Sequence, residues 1–409
     1  MKFWPVAIAK LKSGRGVIAL WVLSALLLTT SRSQAQTETV LYSFGSTITG
    51  DGYSPFAGLV MDKDGNLYGT TLYGGAGGAG TVFKVTPSGI ETILHGFTYF
   101  TGDGVEPSAG LILDQEGNLY GTTFQGGANN LGAVFELTSD GTETVLYSFG
   151  SQSGDGTYPA ASLTMDKRGN LYGTTQHGGG TTNCYQGCGT VFKLTRSGQE
   201  TVLHSFGVQP GDGIQPLAGL VLDDRGNLYG TTFLGGAVGV GTVFKLTPEG
   251  AETVLHSFST DQDGNLPTGS LMRDTVGNLY GTTTSGGING NTAGIVFKVT
   301  SDGTETVFFS FSYSQSSEGA MPSGGVITDR NGNLFGTTQL GGAENQGAVY
   351  RLSPAGRETL LYSFGSHSGD GFQPEGGLVV DKTGTLFGTT QQGGGNMSDD
   401  GTVYSVALR

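Results

Sequence analysis

The sequence predicts an all-β fold, a seven-bladed β-propeller made of four-stranded antiparallel blades. Copies or near-copies of one stretch, Gly-Asn-Leu-Tyr-Gly-Thr-Thr, begin at Gly65, Gly117, Gly169, Gly226, Gly277, Gly332 and Gly384. The steps between them are 52, 52, 57, 51, 55 and 52 residues, a period typical of propeller blades. No helix-period segment follows residue 36, and the 75 glycines of the full chain favour tight turns and close backbone contacts.

Residues 1–35 are predicted to be a secretory signal peptide. Lys2, Lys10 and other basic residues flank an apolar run at 16–28, and Ser33-Gln34-Ala35 is a small-x-small cleavage pattern. A transmembrane anchor is the alternative, but the run is shorter than the roughly 20 residues that span a bilayer. We therefore expect residues 36–409 to form one secreted propeller domain, extracellular or periplasmic.

Charge excludes some partners of the mature chain. Removal of residues 1–35 leaves 15 Lys and Arg against 34 Asp and Glu, a net charge of −19. Such a surface repels nucleic acid and anionic membranes. We expect a monomer with no nucleic-acid partner and no membrane insertion after cleavage.

The elements of one repeat follow in a fixed order. A strand rich in β-branched and aromatic residues, Glu38–Phe44 in the first copy, precedes an acid-Gly-x-x-Pro loop and a short apolar strand at 58–61. Asp62 and Gly65 supply hairpin turn chemistry before the Asn-Leu-Tyr-Gly-Thr-Thr strand. A loop opening with paired glycines and a strand at 81–85 complete the unit. Four strands joined by hairpin-length turns predict an antiparallel blade.

The two ends of the chain predict how the ring closes. The first strand is of the Glu-Thr-Val-Leu-Tyr-Ser-Phe type, and the last, Thr402–Val406, is of the Thr-Val-Tyr-Ser type. The seventh unit therefore lacks the strand that residues 38–44 supply, and pairing the two would remove exposed sheet edges. A linear β-solenoid is the alternative, but it needs capping repeats.

Residues 58–85 carry a family resemblance. The pattern Gly-Leu-Val-x-Asp-x-x-Gly-Asn-Leu-Tyr-Gly-Thr-Thr-x-x-Gly-Gly, ending in Gly-Thr-Val-Phe-Lys, resembles the Gloeo/Verruco (GloVer) tandem repeat of bacterial exported proteins over residues 38–408. Asp62, Gly65, Asn66 and Tyr68 are also similar, more weakly, to the inner hairpin of NHL-type and gluconolactonase-type blades. The GloVer resemblance implies an extracellular or cell-surface propeller and brings no established activity. It also implies a C-terminal anchor in many members, which the end at Arg409, directly after a strand, does not match.

Cys184 and Cys188 lie in one loop, and in an exported protein a local disulfide is the favoured interpretation. Free thiols are one alternative. A metal pair is another, although the nearest His is His177 and no other Cys is present.

The acid-Gly-x-x-Pro loops predict a ring of carboxylates. By analogy with NHL-type blades these loops share one face, the top face, with the paired-glycine loops. The ring could hold cations, Ca²⁺ in particular, which takes several oxygen ligands. The alternative is that each acid caps its own turn, as repetition in every blade favours. The seven acids are Asp51, Asp103, Asp155, Asp212, Asp263, Glu318 and Asp370.

The paired-glycine loops vary while the strands do not, which is typical of binding loops on a rigid scaffold and also of neutral drift. We take their polar and aromatic residues as ligand-binding candidates: His177, Tyr185, Asn289, Asn396, Asp399 and Asp400. His95, His204 and His256 replace an aromatic residue of the outer strand, and we assign them to packing or surface positions.

Two functions from different classes remain open. The sequence holds no His-Glu-x-x-His, no Gly-x-Ser-x-Gly and no Gly-Lys-Ser/Thr phosphate loop, and only small residues with Glu375 border the axis. We therefore expect a non-catalytic propeller that binds a glycan or a protein partner through its top face and requires no cofactor. The alternative is an extracellular hydrolase or lyase acting on polysaccharide or lactone, with His177, Glu375 and Asp399 in one pocket.

Overall fold

The computed structural model of the protein describes residues 38–45, 50–259, 262–288, 293–313, 318–395 and 399–408. The predicted signal peptide lies outside these ranges, as do Asn289 and Asn396. Within the described ranges the chain forms strands and turns and no α-helix. It follows that none of this part offers a helix long and apolar enough to cross a membrane.

Seven antiparallel four-stranded sheets form a seven-bladed β-propeller from the described residues, which confirms the predicted fold. The innermost strands, in the order of blades 1 to 7, are Val60–Met61, Ile112–Leu113, Thr164–Met165, Val221–Leu222, Met272–Arg273, Ile327–Thr328 and Val379–Val380. The second strands are Leu67–Thr71, Leu119–Thr123, Leu171–Thr175, Leu228–Thr232, Leu279–Ser285, Leu334–Thr338 and Leu386–Thr390.

The two outer strands of each blade follow in the same blade order. The third strands are Gly78–Val85, Ala133–Leu137, Thr190–Leu194, Thr242–Leu246, Ile295–Val299, Ala348–Leu352 and Thr402–Val406. The outermost strands are Glu91–Thr98, Glu143–Ser148, Glu200–Ser205, Glu252–Ser257, Glu305–Ser310, Glu358–Ser363 and, for blade 7, Glu38–Ser43.

A short ribbon above each blade pairs the acid-Gly-x-x-Pro loop with the start of the paired-glycine loop. The loop strands are Gly52–Tyr53, Gly104–Val105, Gly156–Thr157, Gly213–Ile214, Asn265–Pro267, Gly319–Ala320 and Gly371–Phe372. Their partners are Tyr73–Gly74, Gln125–Gly126, His177–Gly178, Leu234–Gly235, the end of Leu279–Ser285, Leu340–Gly341 and Gln392–Gly393. The two variable loop types therefore lie on one face, as the sequence predicts.

Blade 7 is closed by the strand at the start of the described chain. Strand Glu38–Ser43 pairs antiparallel with Thr402–Val406, from Glu38 opposite Val406 to Ser43 opposite Thr402. The Phe44 N–H continues the ladder by donating to the carbonyl of Gly401 at 3.0 Å. The predicted closure is confirmed, and each of the seven described blades has its outermost strand.

The repeated turn is held by one aspartate. In blade 1 Asp62 Oδ1 accepts the backbone N–H groups of Asp64 and Asn66 at 2.9 Å. Its Oδ2 accepts the Asn66 side-chain amide at 2.7 Å and the Tyr68 hydroxyl at 3.0 Å. These contacts explain why Asp, Asn and Tyr recur at fixed spacing. They lower the pKa of the Asp62 carboxyl against the opposing effect of its burial, which is the larger single contribution.

Adjacent blades are joined by buried aromatic pairs. Phe83 of blade 1 meets Phe44 edge to face, with ring centroids 5.0 Å apart, and both side chains are fully buried. A Cβ on Gly69 would lie 2.6 Å from Phe83 Cζ and 2.8 Å from Leu59 Cδ2, so the glycine of Gly-Thr-Thr makes room for the ring. The other pairs are Phe97–Phe135, Phe149–Phe192, Phe206–Phe244, Phe258–Phe297, Phe311–Tyr350 and Phe364–Tyr404.

The first threonine of Gly-Thr-Thr joins each blade to the next near the axis. Thr70 Oγ1 donates to the carbonyl of Ala109 at 3.1 Å, and Thr389 Oγ1 donates to the carbonyl of Ala57 at 2.8 Å. Six of the seven blades make this bond, and Thr231, whose Oγ1 is buried without a hydrogen-bond partner, is the exception. The other four donors are Thr122, Thr174, Thr282 and Thr337.

We predict that Thr389→Val destabilises the propeller and Thr231→Val does not. Both side chains are buried and valine has the same shape, but only the Thr389 change leaves a buried carbonyl without its donor. The expected loss for Thr389→Val is about 1–2 kcal/mol of unfolding free energy. Urea denaturation of both variants measures it. Equal effects would contradict a role for the hydrogen bond.

Candidate functional site

An axial pocket opens where the residues after the seven prolines converge. It encloses about 500 Å³, within the range typical of small-ligand sites. Small residues from all seven blades line much of it, among them Ala57, Gly110 and Gly376. The larger lining side chains are Phe56, Leu72, Glu106, Phe124, Leu217, Gln339 and Glu375.

Two carboxylates line this pocket, each held by a glutamine. Gln125 Nε2 donates to Glu106 Oε2 at 2.9 Å, and Gln339 Nε2 donates to Glu375 Oε1 at 2.7 Å. Burial raises the pKa of Glu375, and the hydrogen bond from Gln339 opposes part of that rise. The sequence predicted Glu375 as the one charge beside the axis, and Glu106 corrects that prediction.

The residue before each proline has a left-handed backbone, with φ between 56° and 59°. Such a conformation is uncommon for residues other than glycine. In blade 2 the Glu106 N–H donates to the Ala79 carbonyl of blade 1 at 2.9 Å, and its own carbonyl accepts the Phe124 N–H at 3.0 Å. These bonds fix Glu106 at the pocket. The seven residues that precede a proline with this left-handed backbone are Ser54, Glu106, Tyr158, Gln215, Leu266, Met321 and Gln373.

The seven acids predicted as a ring lie one at each blade interface. At five interfaces a Tyr or His of the preceding outermost strand contacts the acid. These pairs are Tyr42–Asp51, His95–Asp103, Tyr147–Asp155, His256–Asp263 and Tyr362–Asp370. At another, His204 approaches Asp212. The six aspartates also accept a backbone N–H of their own loop. Ca²⁺ binding by the ring stays a prediction.

A glutamate from the next blade adjoins each of these acids. Glu38, at the start of the closing strand, is beside Asp370, and burial together with that carboxylate raises the pKa of Glu38 to about 8. One oxygen of every such glutamate is buried without a hydrogen-bond partner. The same two causes raise the pKa of Glu91, Glu200, Glu252, Glu305 and Glu358 to about 7.

Of the predicted loop residues that the structure describes, none lines the axial pocket. His177 packs edge to face on Tyr158, 5.8 Å between ring centroids, and its Nδ1 lies 3.4 Å from the Gly187 carbonyl oxygen. Tyr185 is exposed at the tip of the third paired-glycine loop, where a disulfide joins Cys184 to Cys188.

In the seventh paired-glycine loop the backbone carbonyl of Asp399 accepts the Gly393 N–H at 3.1 Å, and that of Asp400 accepts the Ser54 N–H at 2.9 Å. Glu375 lines the axial pocket, but neither His177 nor Asp399 does. Asn289 and Asn396 belong to the undescribed part of the chain.

Sequence reasoning missed Glu106, Phe56, Phe124 and Gln339 as pocket residues. A signal for them exists, because they occupy three positions that vary inside otherwise constant stretches. These positions are the residue before the proline, the residue after it, and the residue after Gly-Thr-Thr. In this chain, variation at those fixed positions of the repeat marks residues that face the pocket.

Comparisons with known proteins agree with the propeller. A family model described as the Gloeobacter/Verrucomicrobia repeat matches residues 27–186 and 180–404. No protein of curated function matches the chain.

Two solved structures share the fold. The extracellular domain of a candidate hybrid two component system from B. thetaiotaomicron, BT3049, has a TM-score of 0.56 and 15% identity over 91% of this chain and 41% of that one. The extracellular domain of a candidate one component system, BT4673, from the same organism has a TM-score of 0.58 and 10% identity over 92% and 40%. This chain therefore spans about two fifths of each.

The glutamate–acid pairs predict that stability falls as pH rises through neutrality. Above pH 4.5 a glutamate such as Glu38 ionises in the unfolded chain, while in the folded chain it keeps its proton up to about pH 8. The folded state therefore binds more protons in this window, and the unfolding free energy decreases with pH. Urea denaturation from pH 5 to 8.5 measures the slope.

Glu38→Gln removes one such group, so its slope should be shallower and its stability at pH 8.5 higher than that of the unmodified protein. Glu249→Gln, at an exposed position, is the matched control and should leave the slope unchanged. A Glu38→Gln slope equal to that of the unmodified protein would contradict the assignment.

Proposed function

The chain belongs to the Gloeobacter/Verrucomicrobia repeat family, and from this premise we propose that it is an exported, non-catalytic binding propeller whose axial pocket takes a neutral sugar unit. The pocket of about 500 Å³ on the top face is the observation that carries the proposal. Its volume suits one or two sugar rings rather than a polypeptide segment.

The pocket lining combines apolar surface with oriented polar groups. Phe56 and Phe124 offer ring faces on which the apolar face of a sugar can stack, and Phe124 is supported by Tyr158 at 5.2 Å between centroids. Gln125 and Gln339 hold the two carboxylates in fixed positions, where they can accept hydrogen bonds from sugar hydroxyls. Aromatic faces beside rigid acceptors are suited to a polyhydroxylated ligand.

The charge of the pocket lining determines which class of sugar the pocket favours. Glu106 and Glu375 line the pocket, and no Lys or Arg of the described chain lines it with them. A uronic acid or sulfated sugar would be repelled by an ionised carboxylate at such a site, whereas a neutral sugar would not. The proposed ligand is therefore a neutral oligosaccharide.

An extracellular setting is consistent with this reading. The predicted signal peptide supports export, and the extracellular domains with the same fold support a propeller that works outside the cytoplasm. Residues 36–409 are the unit in which we propose binding.

We predict saturable binding of a neutral oligosaccharide by residues 36–409 on a glycan array, confirmed by titration calorimetry with and without Ca²⁺. Phe124→Ala should weaken the affinity at least tenfold, because it removes the stacking face, a loss of about 1.4 kcal/mol or more. Glu375→Gln should weaken it less, because the amide keeps one acceptor oxygen.

Tyr185→Ala is the control, because Tyr185 is exposed on a loop outside the pocket. Loss of binding in Tyr185→Ala with retention in Phe124→Ala would move the site to the top loops. Binding of uronic acids in preference to neutral sugars would overturn the charge argument. No sugar binding at all would favour a protein partner.

A glycoside hydrolase is the second candidate, favoured by the two carboxylates of the pocket. Such enzymes use one protonated and one ionised carboxyl group, and the raised pKa of Glu375 suits the acid. In this reading Glu375 would protonate the leaving oxygen, and Glu106 would be the base or nucleophile. Release of reducing ends from a bound oligosaccharide, lost in Glu375→Gln, would support it. Recovery of the intact sugar after prolonged incubation would exclude it.

A further inference from the structure

One blade interface differs from the others in its chemistry. His204, on the outermost strand of blade 3, faces Asp212 on the loop that leads to blade 4, and Glu252 begins the outermost strand of blade 4. His204 Nε2 lies 3.7 Å from Asp212 Oδ1 and 3.9 Å from Glu252 Oε2. One ligand atom from each of the three residues falls within 4.8 Å of the others.

These polar atoms lack partners. The Asp212 side chain is 1% exposed, and its Oδ2 accepts the Val208 N–H at 3.2 Å. Asp212 Oδ1, His204 Nε2 and Glu252 Oε1 are all buried without a hydrogen-bond partner. The unpartnered glutamate oxygen recurs at every blade interface, but among the described residues only here do a histidine nitrogen and an aspartate oxygen lack partners together. Buried polar atoms are normally satisfied, so this pair indicates a missing group.

A cation satisfies the histidine nitrogen and both carboxylates at once, whereas a proton shared by Glu252 and Asp212 leaves His204 Nε2 without a partner. Two carboxylates meet here, and in the described part of the chain His204 is their one ion-pair partner within 4.0 Å. We propose that His204, Asp212 and Glu252 bind one divalent transition-metal ion, with Zn²⁺ as the ion best matched to one imidazole and two carboxylates. The ion would link blade 3 to blade 4.

The geometry is close to that of a tetrahedral zinc site. Zinc binds imidazole nitrogen and carboxylate oxygen at about 2.0–2.2 Å, which places neighbouring ligand atoms about 3.3–3.6 Å apart. The 3.7 Å and 3.9 Å separations from His204 need to close by a few tenths of an ångström, and the Asp212 and Glu252 ligand atoms lie within 4.8 Å of each other. Three protein ligands leave a fourth position for water. The His204 and Glu252 side chains are 15% and 12% exposed, so an ion can enter from solvent.

The other interfaces supply matched comparisons. In the interface before, Tyr147 replaces the histidine, and its hydroxyl satisfies Asp155 Oδ2 at 2.8 Å. The interface of His95, Asp103 and Glu143 has similar spacing, but both Asp103 oxygens already accept hydrogen bonds, from the Gly104 N–H and from His95 and the Thr98 N–H. The third histidine interface also leaves His256 Nε2 without a partner, but both Asp263 oxygens accept the Ser259 N–H. His204 therefore marks the described interface where the histidine and the aspartate both offer an unengaged ligand atom.

The test is zinc titration of residues 36–409 after removal of metal with a chelator. We expect one high-affinity Zn²⁺ per chain by calorimetry and a melting temperature that rises with added zinc. His204→Tyr introduces the residue type that blade interfaces use elsewhere, so it should fold, yet it should weaken zinc binding at least 100-fold. Asp212→Asn should do the same. His95→Tyr is the matched control and should keep the zinc.

Co²⁺ provides a second readout, because a four-coordinate site gives intense visible absorption. That absorption should appear with the unmodified protein and with His95→Tyr, and should be absent from His204→Tyr. Zinc affinity unchanged in a cooperatively melting His204→Tyr variant would overturn the proposal. So would a protein that binds no zinc at a hundred micromolar.

Discussion

The hydrogen bond from a threonine hydroxyl to a carbonyl of the next blade is the interaction on which the centre of the molecule depends. Its acceptors are the second residues after the prolines, and all seven residues at that position are Ala or Gly, so the blade ends approach closely around the axis. A Cβ on Gly58 would lie 2.8 Å from the Gly377 carbonyl oxygen. Since small residues and backbone form this inner ring, space is left above it, and the pocket follows from the way the ring is joined.

Residues that repeat in every blade and residues that differ between blades have different roles in this chain. Residues that recur in every blade, such as Asp62, Tyr68 and Thr70, are engaged in turns and blade contacts. Residues that differ between blades at equivalent positions of the repeat, such as Phe124 and Glu375, face the pocket. A sevenfold structure can therefore present a site with one orientation for a ligand, because only the second group breaks the symmetry.

The sequence predicts the blade number, the strand order and the closing strand, because these depend on local patterns repeated seven times. The pocket could not be predicted in the same way. Glu106 and Gln125 are 19 residues apart, and their contact depends on the left-handed backbone of Glu106 before the proline. The pairing of Glu38 with Asp370 joins opposite ends of the chain. Such contacts depend on how the blades are arranged in the ring, and the spacing of residues along the chain does not predict them.

The closing strand has a consequence for how the protein reaches its folded state. Strand Glu38–Ser43 is synthesised first, and its partner Thr402–Val406 is synthesised last. Blades 1 to 6 each take all four strands from one consecutive stretch of chain, so each can form as it emerges. Phe44, by contrast, cannot be fully buried until the last strand is present. Until the last strand arrives, the ring keeps open edges that can pair with other chains. Ring closure therefore waits for the last strand, and the length of chain that separates the two closing strands grows with every blade added to the ring.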